Sequence, residues 1–116
     1  MREYSRVIKN NYILNDLLKE GLNIVFCGTA ASTKSAKIKA YYAGPGNKFW
    51  KVLHETNITD RLLNPIDYLK LLDYNIGLTD IAKNVYGNDN QIGKSDYNID
   101  QFLNKIHGYK PRILCF

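Results

Sequence analysis

The chain has 116 residues, of which 45% are hydrophobic and 23% charged, and its formal net charge is +5. This length predicts a single domain, residues 1–116, with one core of moderate size. No apolar run approaches the ~20 residues that a helix needs to cross a bilayer, so the composition excludes a membrane-spanning helix. The N-terminal residues lack the apolar segment of a secretory signal, and two distant cysteines suit a reducing compartment, so we expect a cytoplasmic location.

The cysteines and histidines do not form a ligand pattern. Cys27 and Cys115 each end an apolar segment and are predicted to be buried thiols. His54 and His107 fall on predicted helices, without a paired carboxylate or serine nearby in sequence, and are expected at the surface. Four scattered side chains supply too few ligands at suitable spacing, so no metal site is expected.

The positive charge is compatible with a nucleic acid as partner, because lysines that neutralise phosphates release counterions. A composition rich in Lys, Asn, Ile and Tyr also occurs in proteins from AT-rich genomes, and would give the same excess without such a partner. The densest local cluster has only small, polar or aromatic residues between its members, and we expect it to contact phosphates. It consists of Lys34, Lys37, Lys39 and Lys48.

The first predicted strand covers residues 22–26 and leads into a small-residue loop, residues 28–32 (GTAAS). Open α/β sheets place ligands at the C-terminal ends of their strands, so this loop is a candidate site. Tyr41 and Tyr42 then precede a Gly-Pro-Gly turn, and alternation suggests that one ring packs inward while Tyr42 lines a pocket. Asn47 either begins the next helix as its cap or offers a donor and an acceptor to a base edge.

The later elements alternate between helices and strands. A helix is predicted over residues 47–55, and another begins at Asn64-Pro65 with Ile66, Leu69 and Leu72 facing inward. A strand at residues 76–78, a short helix at 81–83 capped by Asp80, an amphipathic helix at 96–106 and a buried strand at 112–116 follow. The inward residues of the amphipathic helix are Ile99, Phe102, Leu103 and Ile106. This alternation predicts an α/β fold with a parallel sheet and helices on both faces.

These segments resemble the mismatch-specific uracil/thymine-DNA glycosylases of the uracil-DNA glycosylase superfamily. The family's first motif, usually Gly-Ile-Asn-Pro-Gly, follows a strand, as Gly28 and its loop do here. The family's His-Pro-x-Asn-x-Phe-Trp has its Asn nineteen residues after the first glycine, and Asn47 stands at that distance from Gly28. Residues 74–80 and 110–116 are similar as well, so the resemblance extends from about Leu14 to the end.

The resemblance implies a three-layer αβα fold and a role in base-excision repair. The expected reaction is hydrolysis of the N-glycosidic bond of uracil, thymine or a related deaminated base that has been flipped out of DNA. Such hydrolysis needs no metal or organic cofactor. The base-binding positions implied by the family are Gly28, Thr29, Ala30, Ser35, Tyr42 and Asn47, with Ser35 where the family senses the 5-substituent of the pyrimidine.

One catalytic position departs from the family. Its first motif carries an Asn that positions the attacking water, and Ala30 stands there instead. A carboxylate could take over this role, and the candidates are Asp80, at the end of a predicted strand, and Asp89, in a polar loop. Capping of a short helix by Asp80 and turn formation by Asp89 are the alternatives.

Three functions therefore remain open. The first is a DNA glycosylase in which Asn47, Asp80 and Asp89 are the catalytic candidates. The second is a catalytically inactive module that kept the pocket for a nucleic acid or nucleobase, and the third is a site for a small nucleotide. The family's wedge and its Ser/Gly-rich phosphate loop lie beyond a further strand and helix, so we expect the domain to be incomplete at its C-terminus.

Overall fold

The computed structural model describes residues 12–116, and the N-terminal stretch examined for a secretory signal lies outside them. In chain order the elements are β1 (Ile24–Gly28), α1 (Thr33–Ile38), α2 (Phe49–Glu55), a 3₁₀ helix (Pro65–Tyr74), β2 (Ile76–Asp80), two 3₁₀ turns (Asp89–Gln91 and Lys94–Asp96), α3 (Ile99–Tyr109) and β3 (Ile113–Cys115). The predicted α/β class is confirmed. No helix within the described part of the chain is long and apolar enough to cross a membrane.

The three strands form one parallel sheet in the order β2-β1-β3. In the register of β1 and β2, Gly28 is opposite Asp80, so the two strands end side by side. The segment before β1 adds an antiparallel bridge, in which Leu17 and Leu78 exchange backbone hydrogen bonds of 2.9 Å. The loops that follow β1 and β2 therefore meet at one edge of the sheet.

The core fills the space around the sheet with aliphatic and aromatic side chains. Its fully buried members include Leu22, Val25, Leu71 and Leu78. Trp50 of α2 is buried as well, and its indole N–H donates to the carbonyl of Tyr41 at 3.2 Å. This bond ties α2 to the tyrosine turn and satisfies a polar group that burial would otherwise leave unpaired.

The region after Asn64 is a 3₁₀ helix with a kink at Asp67, where an α-helix was predicted. The predicted inward face is wrong for Ile66, which is 69% exposed, and for Leu69, which is 63% exposed, whereas Leu72 is half-buried and packs against the core. A 3₁₀ helix repeats every three residues, and both the predicted set and the observed set have this spacing, so packing against the core decides which set faces inward. That set is Tyr68, Leu71 and Tyr74, of which Leu71 is fully buried and the two tyrosines are half-buried.

The C-terminal elements also differ in detail from their predictions. Helix α3 begins after Asn98, whose side chain accepts from the Gln101 amide at 3.1 Å, and residues 94–96 form a separate turn. Of its predicted inward residues, Phe102 is buried and Ile106 half-buried, but Ile99 and Leu103 are exposed.

The last strand, β3, was predicted to be buried but pairs only with β1, at an edge of the sheet. Ile113 is consequently 55% exposed. Cys115 is half-buried for the same reason, whereas Cys27 in the central strand is buried as predicted.

Candidate functional site

A pocket of about 210 Å³ lies where β1 and β2 end. All six predicted base-binding residues line it, together with Asp80. Its wall is completed by Leu14, Ala31, Ser32 and Tyr41. The fold thus collects into one concave site a set of residues spread over most of the chain.

The segment after β2 holds the loop after β1 in place. The amides of Ile81 and Ala82 donate to the carbonyls of Gly28 and Thr29, at 2.9 and 2.7 Å. These bonds tie the chain to the loop after β1, and no helix forms at residues 81–83. The prediction that Asp80 caps such a helix is therefore wrong, and its carboxyl group instead lines the pocket.

Ser35 lies on helix α1 and is buried. Its amide donates to the Ser32 side chain at 3.1 Å, which caps the helix. Its own Oγ accepts from the amide of Ala43 at 3.0 Å. Ser35 therefore fixes the turn that follows Tyr42 against the pocket loop.

The two tyrosines occupy different environments. Tyr41 is buried, and its hydroxyl donates to the carbonyl of Asn15 at 2.9 Å. Tyr42 is half-buried in the pocket wall, and its ring stacks on Phe49 with centroids 4.0 Å apart and planes 23° from parallel. Burial raises the pKa of both phenols well above the usual value, so both remain neutral hydrogen-bonding groups.

Asn47 combines a local structural role with a place in the pocket wall. Its Oδ1 accepts from the Phe49 amide at 2.8 Å, and helix α2 begins at Phe49. The side chain thus shapes the turn before the helix, while Lys48 occupies the capping position itself. Because Oδ1 is engaged in this bond, the Nδ2 group is the side-chain donor that Asn47 can offer to a ligand.

Asp80 is the acidic group of the pocket and is only 5% exposed. Burial raises its pKa from 3.8 to about 6, and the nearby Lys83 partly opposes this rise. The carboxyl group therefore changes protonation state close to neutral pH, which is the range in which a general base is most effective.

Behind Asp80 lies a group of buried charges that the sequence did not reveal. Lys83 has its Nζ 2.8 Å from Asp16 Oδ1 and 3.9 Å from Asp80 Oδ2. Asp16 Oδ2 in turn pairs with Lys105 Nζ at 2.6 Å. Only the spacing of Asp80 and Lys83 offered a local indication, because the other members come from distant segments.

The family model described as Uracil DNA glycosylase superfamily matches residues 16–116. The chain belongs to the uracil-DNA glycosylase superfamily. The matched region contains the whole sheet, the loop after β1 and all four residues of the buried charge group. Membership implies glycosylase chemistry on DNA in general, and it agrees with the resemblance found in the sequence.

Of the candidate catalytic residues of this superfamily member, Asn47 and Asp80 line the pocket. Ala30 presents only a methyl group to the pocket, while Asp80 presents a carboxylate. The side chain of Asp89 lies outside the described residues, although its backbone begins the 3₁₀ turn Asp89–Gln91. His54 and His107 are exposed, as predicted. Among the side chains that the structure describes, no three potential metal ligands are grouped together.

The predicted DNA-contacting lysines of this superfamily member are all exposed. Lys37 and Lys39 line a groove of about 370 Å³ together with the half-exposed ring of Tyr86. This groove adjoins the pocket, since Ala31 of the pocket loop forms a parallel bridge with Tyr86. Lys34 and Lys48 lie outside the lining of the groove, on α1 and just before α2.

Proposed function

We propose that this protein is a monofunctional DNA glycosylase of the mismatch-specific uracil/thymine type. It hydrolyses the N-glycosidic bond of a deaminated or mismatched base that has been flipped out of the duplex. The observation that carries the proposal is the meeting of a carboxylate, Asp80, with Tyr42 and Asn47 in one pocket. An ionisable carboxylate, a flat aromatic ring and an amide are what hydrolysis and recognition of a nucleobase require.

Tyr42 serves as the stacking platform for the extruded base. Phe49 supports the tyrosine ring in a stacked arrangement, so the ring is held at a fixed angle in the pocket wall. Stacking of a base on such a ring contributes about 1–3 kcal/mol and does not depend on which base is present. This contact offsets part of the cost of unstacking the nucleotide.

Base identity is read by Asn47 and by the backbone of the loop after β1. The amide of Asn47 offers a donor to a carbonyl of the base, while residues 28–32, whose backbone N–H groups are further donors, line the same pocket. The departing base carries negative charge, and preorganised N–H donors stabilise such a charge in the transition state.

Asp80 positions the water that attacks C1′ of the sugar. As the C1′–N bond breaks, its electron pair leaves with the base, and the water oxygen bonds to C1′. The carboxylate accepts the proton that the water loses, which requires its ionised form. Asp80 positions the water from the end of β2, which lies beside the end of β1. In the loop after β1, Ala30 stands at the position of the family's water-positioning Asn.

The charge around the pocket supports DNA as the substrate. Lys37 and Lys39 lie beside the pocket at a groove that also holds Tyr86. Lysines at this place neutralise phosphates flanking the flipped nucleotide, and the exposed ring offers a surface to a neighbouring base. A free nucleoside has no phosphates with which to use this groove.

The test is excision from labelled duplexes that contain G:U, G:T or hypoxanthine, followed by alkaline cleavage of abasic sites. The wild-type chain is expected to cleave at least one of them, and Asp80→Asn to lose about 10²-fold or more in rate. Asp73→Asn is the matched control, because Asp73 is exposed and away from the pocket lining. Equal rates for Asp80→Asn and the wild type would contradict the role of Asp80.

Ala30 favours a second candidate, a catalytically inactive module that binds nucleic acid. Its methyl group cannot orient water, and a protein that kept only the pocket would tolerate it. Such a module binds DNA in a salt-dependent manner and releases no base. Binding of the labelled duplexes without any abasic product in the same experiment would select this alternative.

A further inference from the structure

Lys83 lies behind the pocket with its side chain only 3% exposed. Its ammonium group is 2.8 Å from Asp16 Oδ1 and donates to the Tyr41 hydroxyl at 3.2 Å. Asp80 Oδ2 is farther away, at 3.9 Å, beyond the length of a direct hydrogen bond. The nearest positive charge to the pocket carboxylate is therefore held mainly by another carboxylate.

Asp16 holds Lys83 in place because two further contacts fix the position of Asp16. Its Oδ1 also accepts the hydroxyl of Thr79 at 2.7 Å, and its Oδ2 pairs with Lys105 at 2.6 Å. Thr79 is the neighbour of Asp80 on β2, and Lys105 belongs to α3. The ammonium of Lys83 is thus held at a set distance from the pocket by a rigid arrangement.

We propose that Lys83, held by Asp16, is a positioning residue that sets the protonation state of the Asp80 carboxyl group in the pocket. Its catalytic consequence rests on the proposed function, because Asp80 acts as a base only when ionised. The electrostatic effect of Lys83 on Asp80 does not require a bound substrate.

The charges that face Asp80 act in opposite directions. Lys83, and more weakly Lys105, favour the ionised carboxylate, while Asp16 disfavours it. The other titratable groups around it are Cys27 on β1 and the phenols of Tyr41 and Tyr42. Burial raises the pKa of all three above the usual values, so they are neutral in the range where Asp80 titrates.

This balance predicts that two substitutions move the titration midpoint of Asp80 in opposite directions. Lys83→Met removes the nearest positive charge, so the carboxyl group of Asp80 should titrate roughly one pH unit higher. Asp16→Asn removes a negative charge and releases Lys83 toward Asp80, so the group should titrate lower by a similar amount. Lys83→Arg keeps the charge and should leave the midpoint near that of the wild type.

The experiment is a ¹³C NMR titration of protein labelled at the aspartate carboxyl carbons, with the Asp80 signal assigned by its loss in Asp80→Asn. The titration midpoint of Asp80 is expected to move upward in Lys83→Met and downward in Asp16→Asn. Unchanged midpoints, or shifts in the same direction, would overturn the proposal. If Lys83→Met does not fold, Asp16→Asn and Lys105→Met, at a half-buried position, test the proposal instead. The midpoint of Asp80 is then expected to move downward in Asp16→Asn and upward in Lys105→Met.

Excision measured over the same pH range separates this inference from the proposed function. Where both hold, the acidic limb of the rate profile moves with the NMR midpoint in each variant. If Lys83 and Asp16 mattered only for stability, both variants would have a lower melting temperature. The titration midpoint of Asp80 would then be the same in the two variants. Shifted midpoints with no base release in any variant would refute the glycosylase and leave the electrostatic role of Lys83 intact.

Discussion

The carboxylate of Asp80 lies directly against the α-carbon of Gly28, its partner in the register of β1 and β2. A Cβ built on Gly28 would be 2.7 Å from Asp80 Oδ1, closer than real Cβ contacts allow. The backbone of Gly28 does not have a positive φ, so its conformation alone would admit other residues. Glycine is needed here because the carboxylate occupies the space of a side chain.

Gly28→Ala is therefore expected to lower the free energy of unfolding by about 1–3 kcal/mol and to displace Asp80. In an Asp80→Ala background the obstacle is gone, and the same change should cost little. Chemical denaturation of the four proteins in this double-mutant cycle measures the coupling. Gly108→Ala in α3, where nothing lies within 4 Å of the added carbon, is the control and should be neutral or slightly stabilising. Additive effects at positions 28 and 80 would contradict the contact.

Asp80→Asn should stabilise the protein at alkaline pH while it removes catalysis. The folded-state pKa of Asp80 is raised to about 6, so folding favours the protonated form. That contribution is complete below the unfolded pKa near 3.8 and is lost as the pH rises through about 6. Removal of the ionised carboxylate should then raise the free energy of unfolding by up to about 3 kcal/mol at pH 8.

Urea unfolding at pH 5 and pH 8 checks this stability effect. The gain of Asp80→Asn over the wild type should be larger at pH 8, where the wild-type carboxylate is charged. Asp73→Asn, at an exposed position, provides the comparison for a charge removed without desolvation. A gain that is independent of pH would show that burial of charge at Asp80 is not its cause.

The proposed base platform predicts different outcomes for two substitutions at Tyr42. Tyr42→Phe keeps the ring stacked on Phe49 and should retain most of the affinity for DNA that contains a target base. Tyr42→Ala removes the ring and should weaken this affinity by about 1–3 kcal/mol. Titration with duplexes that carry an uncleavable uracil analogue measures both, and far-ultraviolet circular dichroism confirms folding. A larger loss in Tyr42→Phe than in Tyr42→Ala would argue against stacking.

The groove beside the pocket predicts a local dependence of DNA affinity on salt. Replacement of Lys37 or Lys39 by Gln should weaken binding and reduce the slope of log K against log[salt] by about 0.9 for each phosphate that is no longer neutralised. Tyr86→Ala should weaken binding without changing this slope. Lys70→Gln is the control, since Lys70 is exposed in a separate hollow beside Asp73. An equal change of slope for Lys70→Gln would indicate that net charge alone matters.

The excision rate should follow the ionisation of Asp80. Below a pH of about 6 the rate is expected to fall tenfold for each pH unit, and above it to level off. Measurement of single-turnover rates between pH 4.5 and 8.5 provides the profile. A rate that stays constant across pH 6 would mean that another group activates the water.

Local patterns in the sequence were sufficient for the parts of the site that depend on one segment. A short apolar strand before a small-residue loop placed Gly28 at the pocket, and the distance to Asn47 followed the family motif. The 3₁₀ helix was missed because Ile66, Leu69 and Leu72 fit an α-helical face equally well, and only tertiary packing selects Leu71. The predicted cap role of Asp80 was wrong because the amides of residues 81 and 82 donate to the end of β1 and the loop after it, and no helix forms there.

The charge group behind the pocket could not be predicted in the same way. Asp16, Lys83 and Lys105 look like ordinary surface residues in sequence, since charged side chains are rarely buried unless paired. The bridge between Leu17 and Leu78 brings Asp16 next to β2, and the packing of α3 brings Lys105 to Asp16. No periodicity or motif in the sequence predicts contacts between residues so far apart in the chain.

The ion pair of Asp16 with Lys105 joins residues 89 positions apart. Closing so long a loop is slow, so this pair is expected to form late in folding, after the local turns and helices. Until it forms, the pocket can have its shape but not its electrostatic balance. If Asp80 acts as proposed, base release would then require that contacts as distant in sequence as this one have already formed.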